Sequence, residues 1–153
     1  MTDKILEPKT FSIYGVYTGQ FILLASIVAY YCKHYYLLPI AIALYITTML
    51  HWYYFTKGFI MHLDILLGHI AIFLVTFYYA RKYFKPEYKN IWYIVALIGG
   101  AAFVVNEYVF YMYITKYEKL NTAFSHMVST FVHLTFMHIM MPGAYIYCSL
   151  MSL

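Results

Sequence analysis

Apolar residues along this chain fall into five long runs that are separated by short polar breaks. The runs are Phe11–Cys32, Tyr36–Tyr54, Phe59–Tyr79, Ile91–Ile114 and Thr122–Met141. Each run has close to the roughly 20 residues that an α-helix needs to cross the hydrocarbon core of a bilayer. The pattern predicts an all-α polytopic membrane helix bundle of about five transmembrane helices, forming a single domain over residues 1–153.

The breaks between the runs are short and charged, as at Lys33-His34 and in the stretch from Arg81 to Glu87. Such short loops predict that consecutive helices are antiparallel neighbours. Pro142-Gly143 predicts an end or a sharp kink in the fifth helix. Residues 144–153 are too few to cross a membrane alone, so they either extend that helix or lie at the membrane surface.

Composition excludes a soluble domain and gives no sign of a nucleic-acid partner. Hydrophobic residues make up 64% of the chain and charged residues only 10%, with a mean hydropathy of +0.68. A soluble domain carries about a quarter charged residues. The formal net charge of +4 is spread along the chain and forms no basic stripe of the kind that binds nucleic acid. The predicted environment is the lipid bilayer, with the chain as an integral, multi-pass membrane protein.

Orientation normally follows the excess of Lys and Arg in the short cytoplasmic loops. Here the ten basic residues divide equally between the two sides. The N-terminal side has Lys4, Lys9, Lys57, Lys116 and Lys119, and the other side has Lys33, Arg81, Lys82, Lys85 and Lys89. Charge therefore does not assign the cytoplasmic side.

Ionisable residues inside the runs are the candidates for chemistry, because such residues usually face a bundle interior or a water-filled cavity. They are Asp64, Glu107, His51, His62, His69, His126, His133 and His138. A rise of about 1.5 Å per residue places His51, His62, Asp64, Glu107 and His126 about 7–13 Å inside the N-terminal face. His69 and His133 come near the midplane. The sequence thus predicts a polar layer built by four helices.

Spacing on the fifth run predicts one polar face. His126 and His133 are seven residues apart and share this face with Ser129 and Thr130. His138 lies off the stripe and is predicted to be a packing or interface residue.

Three uses of a layer of imidazoles and carboxylates remain open. Zinc takes both ligand types, and the predicted metal ligands are His51, Asp64, His126 and His133. Asp64 and Glu107 are the predicted catalytic carboxylates, with Glu107 beside the metal as a base. Haem b could instead be held between His69 and His133. Proton transfer through histidines and carboxylates is the third use.

One stretch resembles a known family. Thr47-Thr48-Met49-Leu50-His51, followed by Leu63-Asp64 and by Gly68-His69-Ile70-Ala71-Ile72-Phe73-Leu74, resembles the second and third helices of the hemolysin III and adiponectin/progestin receptor family. That family belongs to a superfamily that includes the alkaline ceramidases. The resemblance implies a zinc site near one membrane face, with Thr47 or Thr48 as its hydroxyl residue, His51 as a histidine and Asp64 as its aspartate. It also implies amide-hydrolase chemistry and a cytoplasmic N-terminus.

The chain departs from the family pattern on its last helix and in its number of spans. The family has seven helices and a pair of histidines four residues apart on the last one. Here Ser129 stands four residues before His133, and His138 follows five residues after it.

The leading functional hypothesis is a small membrane protein whose His/Asp/Glu cluster is the zinc site of a divergent hydrolase acting on a lipid-like substrate. The alternative is a non-enzymatic structural or accessory subunit of a respiratory, viral or organellar membrane assembly, in contact with other membrane subunits. A haem-binding or proton-transferring subunit is the third hypothesis.

Overall fold

A computed structural model describes residues 9–54, 58–110, 116–117 and 122–153. Over this part of the chain the regular structure is helical, and five helices are long and apolar enough to cross a membrane. These findings confirm the predicted all-α fold and the multi-pass membrane protein.

The five helices follow the predicted runs, with some different ends. Helix α1 (residues 9–31) consists of Lys9–Thr18 and Gln20–Tyr31, which meet at Gly19. Helix α2 is Leu37–Tyr54, α3 is Phe59–Tyr83 and α4 is Pro86–Phe110. Helix α5 (residues 123–151) consists of Ala123–His133, Leu134–Met140 and Met141–Met151. The predicted end of the fourth run, residues 111–114, lies outside the described residues.

The loop between α3 and α4 is shorter than the charged stretch suggested. Only Phe84 and Lys85 separate the helices, and both have extended backbone conformations. Pro86 occupies the first turn of α4, where its missing N–H costs no helical hydrogen bond. Arg81 and Lys82 therefore lie in the last turn of α3 rather than in a loop, and Lys85 is the basic residue of the loop.

Helix α5 continues through Pro142-Gly143 to Met151, so of the two predicted outcomes for residues 144–153 the extension is the observed one. Immediately before the proline the helix is π-helical over Leu134–Met140, and the Met141 amide donates to the Phe136 carbonyl five residues back. Helices with this i→i+5 pattern are rare and occur frequently at functional sites. Val75–Tyr79 in α3 and Val104–Phe110 in α4 are also π-helical.

Two backbone hydrogen bonds at the C-terminal end of α1 stabilise the turn between α1 and α2. The His34 amide donates to the Ala29 carbonyl at 2.7 Å, and the Lys33 amide donates to the Tyr30 carbonyl at 3.1 Å. This is a Schellman motif, in which the residue after the helix end takes a left-handed conformation. That residue is Lys33, with φ 60°. The motif directs the buried His34 side chain onto the hydroxyl of Tyr145 in α5, with Nδ1 and Oη 2.7 Å apart.

Helix contacts run in the spatial order α3, α2, α1, α5, α4. The glycines of α1 serve contacts within the bundle: a Cβ atom at Gly15 would overlap the Trp52 indole, and one at Gly19 would overlap the Met49 side chain. Helices α3 and α4 are the two ends of this order, and they do not close it into a ring. They come close chiefly where Val75–Tyr79 and Ala80–Tyr83 meet Pro86–Phe103. The bundle is therefore a horseshoe around a central space.

Candidate functional site

A cavity of about 400 Å³ occupies the centre of the horseshoe. Its lining is mostly apolar. Leu37, Trp92 and Tyr145 line it on the side of the membrane where α1 joins α2, and Thr48, Asp64, His133 and His138 line it toward the N-terminal side. The cavity therefore has a long apolar part and a polar end.

Asp64 forms the first part of this polar end. The side chain is 8% exposed, and its Oδ1 accepts hydrogen bonds from Thr48 Oγ1 at 2.6 Å and from Thr47 Oγ1 at 2.9 Å. Because α2 and α3 are antiparallel neighbours, the last turns of α2 face the first turns of α3. Two consecutive threonines thus supply the donors that a carboxylate in an apolar bundle needs.

Glu107 and His133 form the second part. His133 Nδ1 lies 2.9 Å from Glu107 Oε1, and the Asn106 amide donates to the same oxygen at 2.7 Å. Asn106 is 3% exposed. Asn106 was not among the predicted site residues, although an amide next to an intramembrane carboxylate was a signal for it. A histidine whose one nitrogen is bonded to a carboxylate is fixed in orientation, which leaves Nε2 for other contacts.

His138 lies next to His133, which the sequence did not predict. It was predicted to be a packing or interface residue because it lies off the α-helical stripe of His126 and His133. The π-helical segment adds a residue to the turn, so His138 comes about one turn after His133, and the two rings lie 5.3 Å apart between centroids. His138 is 2% exposed, and its Nδ1 lies 3.1 Å from Thr18 Oγ1 in α1.

Trp52 packs among these imidazoles. Its ring centroid lies 5.2 Å from that of His51, 5.9 Å from that of His133 and 5.7 Å from that of His138. The indole is 6% exposed, and its Nε1 has no hydrogen-bond partner among the described residues. A buried donor of this kind is normally satisfied.

Charge–charge interactions connect these side chains into one cluster. The imidazoles of His51 and His133 interact with the carboxyl groups of both Asp64 and Glu107, and His138 lies within range of the same two imidazoles. We call His51, Asp64, Glu107, His133 and His138 the polar cluster. Four of its members were predicted site residues.

The remaining candidate histidines lie elsewhere. His126 is two helical turns before His133 and does not line the cavity. His62 is exposed on α3. His69 lines the cavity near Phe103, with ring centroids 5.0 Å apart, and its Nδ1–H donates to the Ile65 carbonyl at 2.7 Å.

The polar cluster does not form a ready metal site. Within the described parts of the chain, no three His, Cys, Asp or Glu side chains are arranged to hold one metal ion. The Asp64 oxygen instead faces two hydroxyl donors, and the Nδ1 atoms of His133 and His138 lie beside Glu107 and Thr18. Zinc and haem therefore stay predictions.

Comparison of the chain with protein-family models, with curated proteins and with solved structures finds no match. The resemblance to the hemolysin III and adiponectin/progestin receptor family stays a prediction, and the functional proposal rests on the site itself.

Proposed function

We propose that this membrane protein binds a lipid-like amphiphile inside its helix bundle, with the apolar chain along the cavity and the polar group at the polar cluster. One observation carries the proposal: a single cavity of about 400 Å³ joins an apolar wall to Asp64, His133 and His138. Ligand pockets typically measure about 300–1,000 Å³ and combine apolar walls with a few convergent polar groups.

The polar cluster supports acid–base chemistry on the bound polar group. Glu107 holds His133 from the Nδ1 side, which suits Nε2 to accept a proton from a ligand hydroxyl or from water. Asp64 has one oxygen fixed by Thr47 and Thr48, so its other oxygen is available to a ligand donor. The arrangement suits a hydrolase acting on a lipid-like substrate.

The ligand proposal is tested by filling the cavity. Gly100 lines it, and a Cβ atom built there meets nothing within 4 Å, so Gly100→Leu has room inside the protein. Gly143→Leu is the matched control because a Cβ atom there is equally free and Gly143 does not line the cavity. Lipid extracted from detergent-purified protein is identified by mass spectrometry. We expect a stoichiometric amphiphile in the wild type and in Gly143→Leu, and its loss in Gly100→Leu.

A second candidate is a zinc site, and the 5.3 Å separation of the His133 and His138 rings favours one in which His138 replaces the predicted ligand His126. When bound, zinc would make a coordinated water acidic enough to attack an amide or ester. His51, Asp64, His133 and His138 are the residues that would hold it after rearranging, because among the described residues no three such side chains are arranged around one ion. The test is metal analysis of the purified protein. Zinc that is lost in His138→Ala and kept in His126→Ala supports the structure-based set, whereas the reverse supports the set predicted from spacing.

The same preparation separates the other hypotheses. A Soret band would indicate haem and exclude zinc at His133. Protein with neither a bound amphiphile nor a metal or haem would favour the non-enzymatic accessory subunit, whose polar residues pack helices.

A further inference from the structure

The opening of the horseshoe lies at membrane depth. Helices α3 and α4 are consecutive and antiparallel, yet Phe59–Leu74 and Pro86–Phe103 make few close contacts, and the two helices meet chiefly beside their connecting loop. There the Trp92 indole N–H donates to Thr76 Oγ1 at 3.2 Å and fastens them together. Further from the loop the helices diverge and leave a cleft.

This cleft has a volume of about 430 Å³ and opens toward the lipid-facing surface. Its walls include Phe73 from α3 and Ala96 and Leu97 from α4. Phe73 is 60% exposed and Leu97 75% exposed. Because this surface is surrounded by lipid in a bilayer, the molecules that reach it first are acyl chains.

The cleft and the central cavity adjoin. His69 and Ile72 line both of them, so a molecule that passes these two side chains moves from the bilayer into the bundle. His69 is the polar residue at this point. Its Nδ1 is bonded to the Ile65 carbonyl, which leaves Nε2 to contact a passing polar group.

We infer that a single-chain amphiphile such as a fatty acid enters the cavity sideways from the bilayer, through the cleft between α3 and α4, with His69 at the passage. The inference rests on the proposed function. A cavity of about 400 Å³ is at the lower end of the ligand-pocket range, which favours one chain over the two of a phospholipid.

The native tryptophans allow a direct test. The chain has two, and Trp92 is 2% exposed and lines the cavity. A fatty acid brominated on its chain quenches Trp92 fluorescence when it occupies the cavity, and Trp92→Phe gives the contribution of Trp52. The rate of quenching is measured after protein in vesicles is mixed with vesicles that contain the brominated fatty acid.

The blocking variant is Ala96→Phe, which places a ring in the cleft. Its matched control is Ala101→Phe, on an exposed position of the same helix that lines neither space. We expect quenching about tenfold slower in Ala96→Phe, the factor given by about 1.4 kcal/mol of added barrier, and an unchanged rate in Ala101→Phe. Leu97→Phe, at a highly exposed position, gives the same test if Ala96→Phe does not fold.

The outcomes that would overturn the inference differ from those that would overturn the proposed function. Equal quenching rates in the wild type and both cleft variants would exclude the cleft as the route while keeping the ligand. Absence of quenching in every protein, even after mixing in detergent micelles, would refute the ligand itself. A change of oligomeric state in Ala96→Phe with an unaltered rate would show that the cleft packs a second copy of the chain.

Discussion

The rings of His133 and His138 lie 5.3 Å apart although the two residues are five positions apart in the chain. In a regular α-helix a residue five positions on is rotated well away from the first. The π-helical segment Leu134–Met140 accommodates the extra residue and returns His138 to the face of His133. The polar cluster therefore depends on a local change of helix type, and its energetics can be tested residue by residue.

Removing the Asp64 carboxylate leaves two buried hydroxyls without their acceptor. We expect Asp64→Ala to lower the free energy of unfolding by about 1–3 kcal/mol, the usual cost of an unsatisfied buried group. Asp64→Asn keeps an acceptor oxygen and should cost less. Thermal unfolding in detergent measures both. In a double-mutant cycle, Thr48→Val should cost less in the Asp64→Ala background than in the wild type, and strictly additive effects would show that the 2.6 Å contact contributes nothing.

Gly15 is required by the position of the Trp52 indole. A methyl group at Gly15 would overlap that ring, so Gly15→Ala should destabilise the protein by about 1–3 kcal/mol, as overpacked cores generally do. Gly143→Ala is the control, because its methyl group meets nothing within 4 Å. Helix propensity predicts that this control is neutral or stabilising by up to about 1 kcal/mol. A similar loss of thermal stability in both variants would refute the packing role of Gly15.

Lys33 occupies a position that favours glycine. Its φ of 60° is the left-handed conformation of the Schellman motif, which costs a residue with a Cβ atom about 1–2 kcal/mol. We expect Lys33→Gly to raise the midpoint of thermal unfolding, with a gain of about 1 kcal/mol. Lys33→Ala removes the same charge while keeping the Cβ atom, so it should give no such gain. If the two variants behave alike, the side-chain charge and not the backbone conformation determines the effect.

Acid should destabilise the turn that contains His34. Burial lowers the pKa of this loop histidine from its ordinary 6.5 to about 4. Between these values the unfolded chain binds more protons than the folded one, so stability falls as the pH decreases from about 6.5 to about 4 and is independent of His34 above that range.

The His34 effect is isolated by comparison with His34→Gln, which does not titrate. Each pH unit in the window should remove up to about 1.4 kcal/mol from the wild type relative to the variant. The neighbours of His34 are the rings of Tyr79, Tyr83 and Tyr145. Parallel unfolding profiles of the two proteins over that range would contradict the prediction.

The sequence predicted the helices and named four of the five residues of the polar cluster. Segment length and hydropathy indicated five spans, since a bilayer of fixed thickness requires a fixed length of apolar helix. The rarity of ionisable residues in lipid singled out Asp64, Glu107, His51 and His133. It did not bring His138 beside His133, because the angular argument assumed 3.6 residues per turn throughout α5 and the helix is π-helical over Leu134–Met140.

By itself, then, the sequence determined that this chain is a multi-pass helical membrane protein with an intramembrane polar layer. Both properties follow from the transfer of side chains between water and lipid, which depends on composition along the chain. Tertiary structure alone decided that His138 joins His133, that Trp52 packs on Gly15, and that α3 and α4 part to leave a cleft. These features depend on backbone hydrogen-bond register and on which helix faces meet, and neither is encoded in the hydrophobicity of any one segment.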